Sequence, residues 1–151
     1  MGNLMRDYRN IKAWQQADDF AVSVYSITRE FPKSEMYGLT SQLRQAGYSV
    51  AANICEGASR NSLKDYLHFF YIARGSCSEA QYGLHLAGRL GYLDQQALNA
   101  LEIQAGEVGR TLAGLIRAVE KESGILRTTA ACLTSLVVLS SIGHLSQLFH
   151  T

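Results

Sequence analysis

The chain has 151 residues, 47% hydrophobic and 18% charged, with a formal net charge of +1. That length suits one domain with a real core, the low charge hints at apolar surface buried beyond a monomer's own core, and the net charge argues neither for nor against a polyanionic partner. Cys55, Cys77 and Cys132 form no CxxC pair, which argues against a disulfide framework or a zinc site and makes a reducing cytoplasm the default location.

The N-terminal stretch MGNLMRDYRNIKAW has no apolar h-region, so it does not read as a secretory signal. A first helix is predicted over about Ile11 to Glu30, where Ala13, Ala17, Phe20, Val24, Ile27 and Phe31 recur at alternating steps of four and three. Pro32, the chain's one proline, stops it, and Lys33 to Tyr37 is a short connection.

The second helix organises the rest. Leu39, Leu43, Ala46, Gly47, Val50 and Ile54 fall on one narrow arc at about 100° per residue. Beside that arc runs a polar column of Gln42, Ser49, Asn53, Glu56 and Arg60. The opposite side carries Tyr48, Ala52 and Cys55, so the helix is expected to be buried on most of its circumference, the second face under another subunit or the C-terminal tail. Gly57 is expected to end it in a left-handed conformation.

Ser62, with Asp65 three residues on, reads as the N-cap of a third helix over about Leu63 to Leu90, and Gly91 as its end. Its seam is Tyr66, Phe70, Ala73, Cys77, Ala80, Leu84 and Ala87. The small residues in the middle, beside Gly75 and Ser76, let a neighbouring backbone approach. Asp94 caps a fourth helix whose seam is Leu98, Leu101, Ala105, Val108, Leu112, Leu115 and Val119. Short connections force antiparallel neighbours, so the fold class is all-α, an up-and-down antiparallel four-helix bundle.

The bundle is expected to occupy residues 1–123 and an apolar tail residues 124–151. The tail reads as a further helix on the bundle, a membrane segment or a non-native extension. Its Thr134, Ser135, Ser140, Ser141, His144, Ser146 and Gln147 weigh against the membrane.

No constellation for catalysis stands out: the sequence lacks a GK[ST] phosphate loop, a GxSxG elbow and an HExxH pair. Glu79 and Glu56 have no His three residues on, so the di-iron pattern fails, and His68 and His85 read as surface residues. Neither an enzyme activity nor a metal or cofactor is expected. Asn53, Glu56 and Arg60 read as a buried structural network, with contact to a ligand or RNA as the alternative. Arg44, Arg60, Lys64 and Arg74, interleaved with Tyr48, Tyr66 and Tyr71, are the candidate RNA contacts, and Arg44 is the first choice because it projects away from the core arc.

The phrases FPKSEMYGLTSQLRQAGYSVAANICEG, YLHFFYIARGSCSEA and LAGRLGYL resemble the bacterial four-helix-bundle family of ribosomal-RNA intervening-sequence proteins, to which the accessory variability protein of diversity-generating retroelements is related. The likeness spans about Ala13 to Leu93. It falls position by position on Tyr37, Gly38, Gln42, Arg44, Ala46, Ser49, Asn53, Glu56, Gly57, Arg60, Gly75, Ser76 and Glu79. Gln45 and Tyr48 depart from the pattern, and the missing second arginine at Gln45 weakens a nucleic-acid reading. The resemblance implies a homopentamer and, for the retroelement relatives, binding of RNA and a reverse transcriptase. The leading expectation is a non-enzymatic oligomeric scaffold for RNA or a nucleic-acid enzyme. The alternatives are a bundle that holds a small ligand near Asn53 and Glu56, and a membrane-attached helper that uses the tail.

Overall fold

The computed structural model describes residues 7–148, with side chains as far as Gly124. Four α-helices follow in order: α1 Lys12–Ile27, α2 Leu39–Ala58, α3 Leu63–Arg89 and α4 Gln95–Leu148. Short 3-10 turns occupy Tyr8–Asn10, Thr28–Glu30 and Lys33–Glu35. Packing divides the chain into two compact units, residues 1–117 and 118–151.

The first unit is the bundle. α2 packs against α1 on one side and α3 on the other. α4 closes the ring: the Cys77 thiol of α3 donates to the Ala105 carbonyl at 3.5 Å, while Leu101 and Gln104 lie beside Ser23 and Ile27 of α1. Its core is built from Phe20 and Val24, Leu43, Val50 and Ile54, Phe70 and Leu84, and Val108 and Leu112, one set from each helix. Burial of each such side chain is worth about 1.5–3 kcal/mol. The α3 seam is buried throughout, from Tyr66 to Ala87.

Local signals explain most of the boundaries. Phe31, the residue before Pro32, is extended (φ −67, ψ 152), because a proline ring crowds helical geometry in its predecessor. The Ser62 side chain accepts the Asp65 N–H at 3.0 Å. Gly91 has φ +74, and the Tyr92 and Gly91 N–H groups reach back to the carbonyls of Ala87 and Gly88, a Schellman closure that suits glycine. The Asp94 carboxylate accepts the Ala97 N–H at 2.7 Å.

Several expectations are corrected. Gly57 does not end α2. It lies inside the helix, buried, and a Cβ there would stand 3.1 Å from the Phe69 Cβ and 3.3 Å from the Tyr66 carbonyl oxygen, so a side chain would press on α3. In α4 the buried residue is Ile116, with Leu115 half-buried, because a helix of 3.6 residues per turn drifts away from a strict seven-residue repeat. α4 also runs through Gly124 to Leu148, past the end that the sequence pattern predicts at residues 120–124. A glycine alone costs about 1 kcal/mol in a helix interior, too little to stop it without a cap. The tail therefore continues α4 instead of starting a fifth helix, and its side chains lie outside the described residues. Among the described residues no helix is long and apolar enough to cross a membrane.

The outer face of α2 is partly open among the described residues. Tyr48 is 57% exposed, and Ala52 and Cys55 are half-buried beside Tyr8 and Trp14. Whether by a second copy or by the tail, its further cover lies outside the described residues.

Candidate functional site

The polar column of α2 splits into three parts. At mid-helix the Asn53 side-chain amide donates to the Ser49 carbonyl at 2.7 Å and to the Ser49 hydroxyl at 2.9 Å. The Ser76 hydroxyl of α3 donates to the same Ser49 oxygen at 2.9 Å. Three family-pattern residues thus form one half-buried hydrogen-bonded link between the two helices, which small side chains allow to come close. Toward the C-terminal end Glu56 and Arg60 pair with each other one turn apart. Their side chains are 48% and 42% exposed, so the buried network expected there is not formed. The last turn of α2 buries Gly57 and Ala58 against α3 and leaves Glu56 on the exposed side. Toward the N-terminal end Gln42 is exposed at the edge of a groove.

The candidate basic contacts do not converge on one patch. Arg44 is half-buried: its Nε donates to the Thr28 hydroxyl at 2.7 Å, and its guanidinium lies 5.2 Å from the Tyr25 ring centroid. Thr28 in turn donates to the Val24 carbonyl at 2.7 Å. Arg44 therefore ties α2 to α1, which removes the reason for ranking it first among the contacts. Arg60 lies over the Phe69 ring at 4.7 Å as well as beside Glu56. Arg74 is exposed and lies over the Tyr71 ring at 4.9 Å, and Lys64 is exposed on the same helix. Lys64 and Arg74 are about 15 Å apart along α3 by helical rise.

The short connection before α2 holds a residue that the sequence reading missed. Glu35 accepts the Leu39 N–H on Oε2 at 2.9 Å, and the Tyr92 hydroxyl donates to its Oε1 at 3.1 Å. Gly38 has no side chain to cap the helix, so the carboxylate four residues before Leu39 takes that role, and its charge suits the positive end of the helix. A Cβ at Gly38 would come within 2.6 Å of that carboxylate oxygen. Partial burial, then the Glu35 hydrogen bond and charge, push the Tyr92 phenol up. Burial likewise pushes the Cys77 thiol up, which keeps it a protonated core side chain.

The main concave feature in this region is a groove of about 500 Å³ between the first half of α2 and the second half of α3. Leu39, Leu43, Leu86 and Leu90 form its apolar floor. Glu35, Gln42, Glu79 and Tyr82 stand at its margin. Gly83 helps to form it, since a Cβ there would come 2.9 Å from the Leu43 Cδ1. Asn53 and Glu56, the expected centre of a ligand site, do not line this groove. Of the remaining family-pattern residues, Tyr37 is fully exposed and Gly75 faces open space. Among the described residues no cluster of His, Cys, Asp and Glu side chains could hold a metal.

Fold and side chains together define an all-α antiparallel bundle in which Arg44, Ser49 and Ser76 bond across helices while Gln42, Glu56, Arg60 and Glu79 stay exposed, with an open groove between α2 and α3. The chain belongs to the 23S rRNA-intervening sequence protein family, whose pattern matches residues 9–114. It is also similar to a crystal structure of a protein of unknown function from the S23 ribosomal protein family of Bacteroides thetaiotaomicron. That likeness has a TM-score of 0.65 at 22% identity and covers 70% of this chain and 95% of the other, which shows a shared fold. No curated protein matches the chain.

Proposed function

We propose that this protein is a non-enzymatic scaffold that works in the cytoplasm as an assembly of several copies, five on the pattern the resemblance implies. One observation carries the reading: an exposed tyrosine among half-covered apolar side chains at the α1–α2 seam. Tyr48 is exposed there among half-buried Ala21, Ala52 and Cys55, and Tyr25, also exposed, lies against Arg44 of α2. An exposed aromatic ring set among half-covered apolar side chains fits an interface between copies. Light scattering on the full chain tests it. The expected mass is a multiple of 16.6 kDa, and a single-chain mass at micromolar concentration removes the assembly from the account.

RNA is the second reading of what the scaffold holds, ahead of a nucleic-acid enzyme, and Arg74 over Tyr71 favours it. A cation above an exposed ring offers a phosphate contact and a stacking surface together, and Lys64 adds a second charge. With a net charge of +1 per chain, such contacts are weak singly and add across copies. Filter binding at low salt is the test. Lys64→Glu with Arg74→Glu should weaken retention while the mass is unchanged, and a wild-type protein that retains no RNA at low salt removes RNA as the partner.

A further inference from the structure

We propose that the α2–α3 groove is a docking site for a basic amphipathic helix of a partner protein. The inference rests on the scaffold reading and names the chemistry of its protein partner. Leu39, Leu86 and Leu90 present apolar surface in the groove above the buried Leu43, and Leu90 is 50% exposed. The groove follows about 10 Å of α2 and about 16 Å of α3, the length of two to three helical turns. A helix laid there would bury side chains at i, i+3 or i+4 and i+7.

Charge selects among occupants. Among the described residues Glu35 and Glu79 are the charged ones that line the groove, and no lysine or arginine lines it. The Glu35 oxygens are used by Leu39 and Tyr92, which fixes that carboxylate at the groove's end while leaving its charge in place. Glu79 is exposed on the α3 margin. A nucleic-acid backbone would meet like charge here, whereas lysines or arginines beside a leucine stripe would meet opposite charge. The packing that makes the groove is specific, because Gly83 lets Leu43 lie against the α3 backbone and any larger residue would push that floor outward.

Fluorescence anisotropy on the full-length chain tests the proposal with two designed helical peptides of about 18 residues, long enough to hold helix. Both carry leucines at i, i+3, i+4 and i+7; one flanks them with lysines and the other with glutamates. The lysine peptide should bind, and the glutamate peptide should bind at least roughly tenfold more weakly. Glu79→Lys should weaken the lysine peptide roughly five- to tenfold, and Tyr82→Ala should also weaken it. Both residues are exposed, so circular dichroism should show an unchanged fold. Equal binding of the two peptides, no binding of either, or indifference to Glu79→Lys overturns the proposal. A fall in assembly mass on Glu79→Lys also overturns it, since a second copy would then be the occupant. An intact assembly that ignores the lysine peptide defeats this inference alone, and a monomer that binds it defeats the assembly alone.

Discussion

Glu35 and Tyr92, 57 residues apart in sequence, share a hydrogen bond of 3.1 Å that joins the start of α2 to the loop between α3 and α4. The same carboxylate caps α2 through the Leu39 N–H. Glu35→Ala removes both contacts at once. The expected loss of stability is about 1–2 kcal/mol, read from urea denaturation, with Tyr92→Phe losing the smaller share.

The pH dependence of that link has a definite sign. The Tyr92 phenol is raised by burial, the Glu35 hydrogen bond and the Glu35 charge, so the folded chain holds that proton more tightly than the unfolded one. The contribution is fully present below the unfolded value, about 10, and is lost as pH rises through the higher folded value. Denaturation midpoints measured across alkaline pH should fall more steeply for the wild type than for Tyr92→Phe. Parallel curves would show that the link does not favour the neutral phenol.

Two glycines of the family pattern should respond in opposite ways to alanine. Gly57→Ala places a methyl against Phe69 and the Tyr66 carbonyl, where the backbone cannot give, and should cost about 1–3 kcal/mol. Gly75 faces open space in the middle of α3, so Gly75→Ala should stabilise by about 0.5–1 kcal/mol. Thermal melts of the two variants decide both.

The Glu56–Arg60 pair offers a third contrast. Expected as a buried pair from sequence, it would cost several kcal/mol to break. Exposed as it is, Glu56→Ala should shift stability by less than about 1 kcal/mol, and salt should shrink the effect further. Asn53→Ala, which removes bonds to half-buried Ser49, should cost more than Glu56→Ala.

The helices and their caps were legible because each rests on local chemistry: Pro32, Ser62, Gly91 and Asp94 act on their immediate neighbours. The seams of α1, α2 and α3 were legible because burial follows periodicity. What stayed hidden depends on neighbours distant in sequence. Tyr92 cannot be paired with Glu35 by spacing, although a Glu four residues before a helix whose N-cap is glycine was a readable hint. Periodicity put Glu56 on the same side as Asn53, but not how far the neighbouring helices extend to cover it. Arg44 was placed off the core arc, yet its pairing with Thr28 depends on where α1 ends. The groove arises from α2 and α3 together and has no signature in either alone.

The central claim is that the α1–α2 seam joins copies of this chain. Sedimentation velocity on the full chain and on Tyr48→Glu measures it most directly, because Tyr48 is exposed and its replacement leaves the bundle core untouched. The account predicts a single assembled species for the wild type and a shift of Tyr48→Glu to slow-sedimenting single chains with unchanged helical content. A wild type that sediments as single chains, or a Tyr48→Glu variant that assembles as well as the wild type, would contradict it.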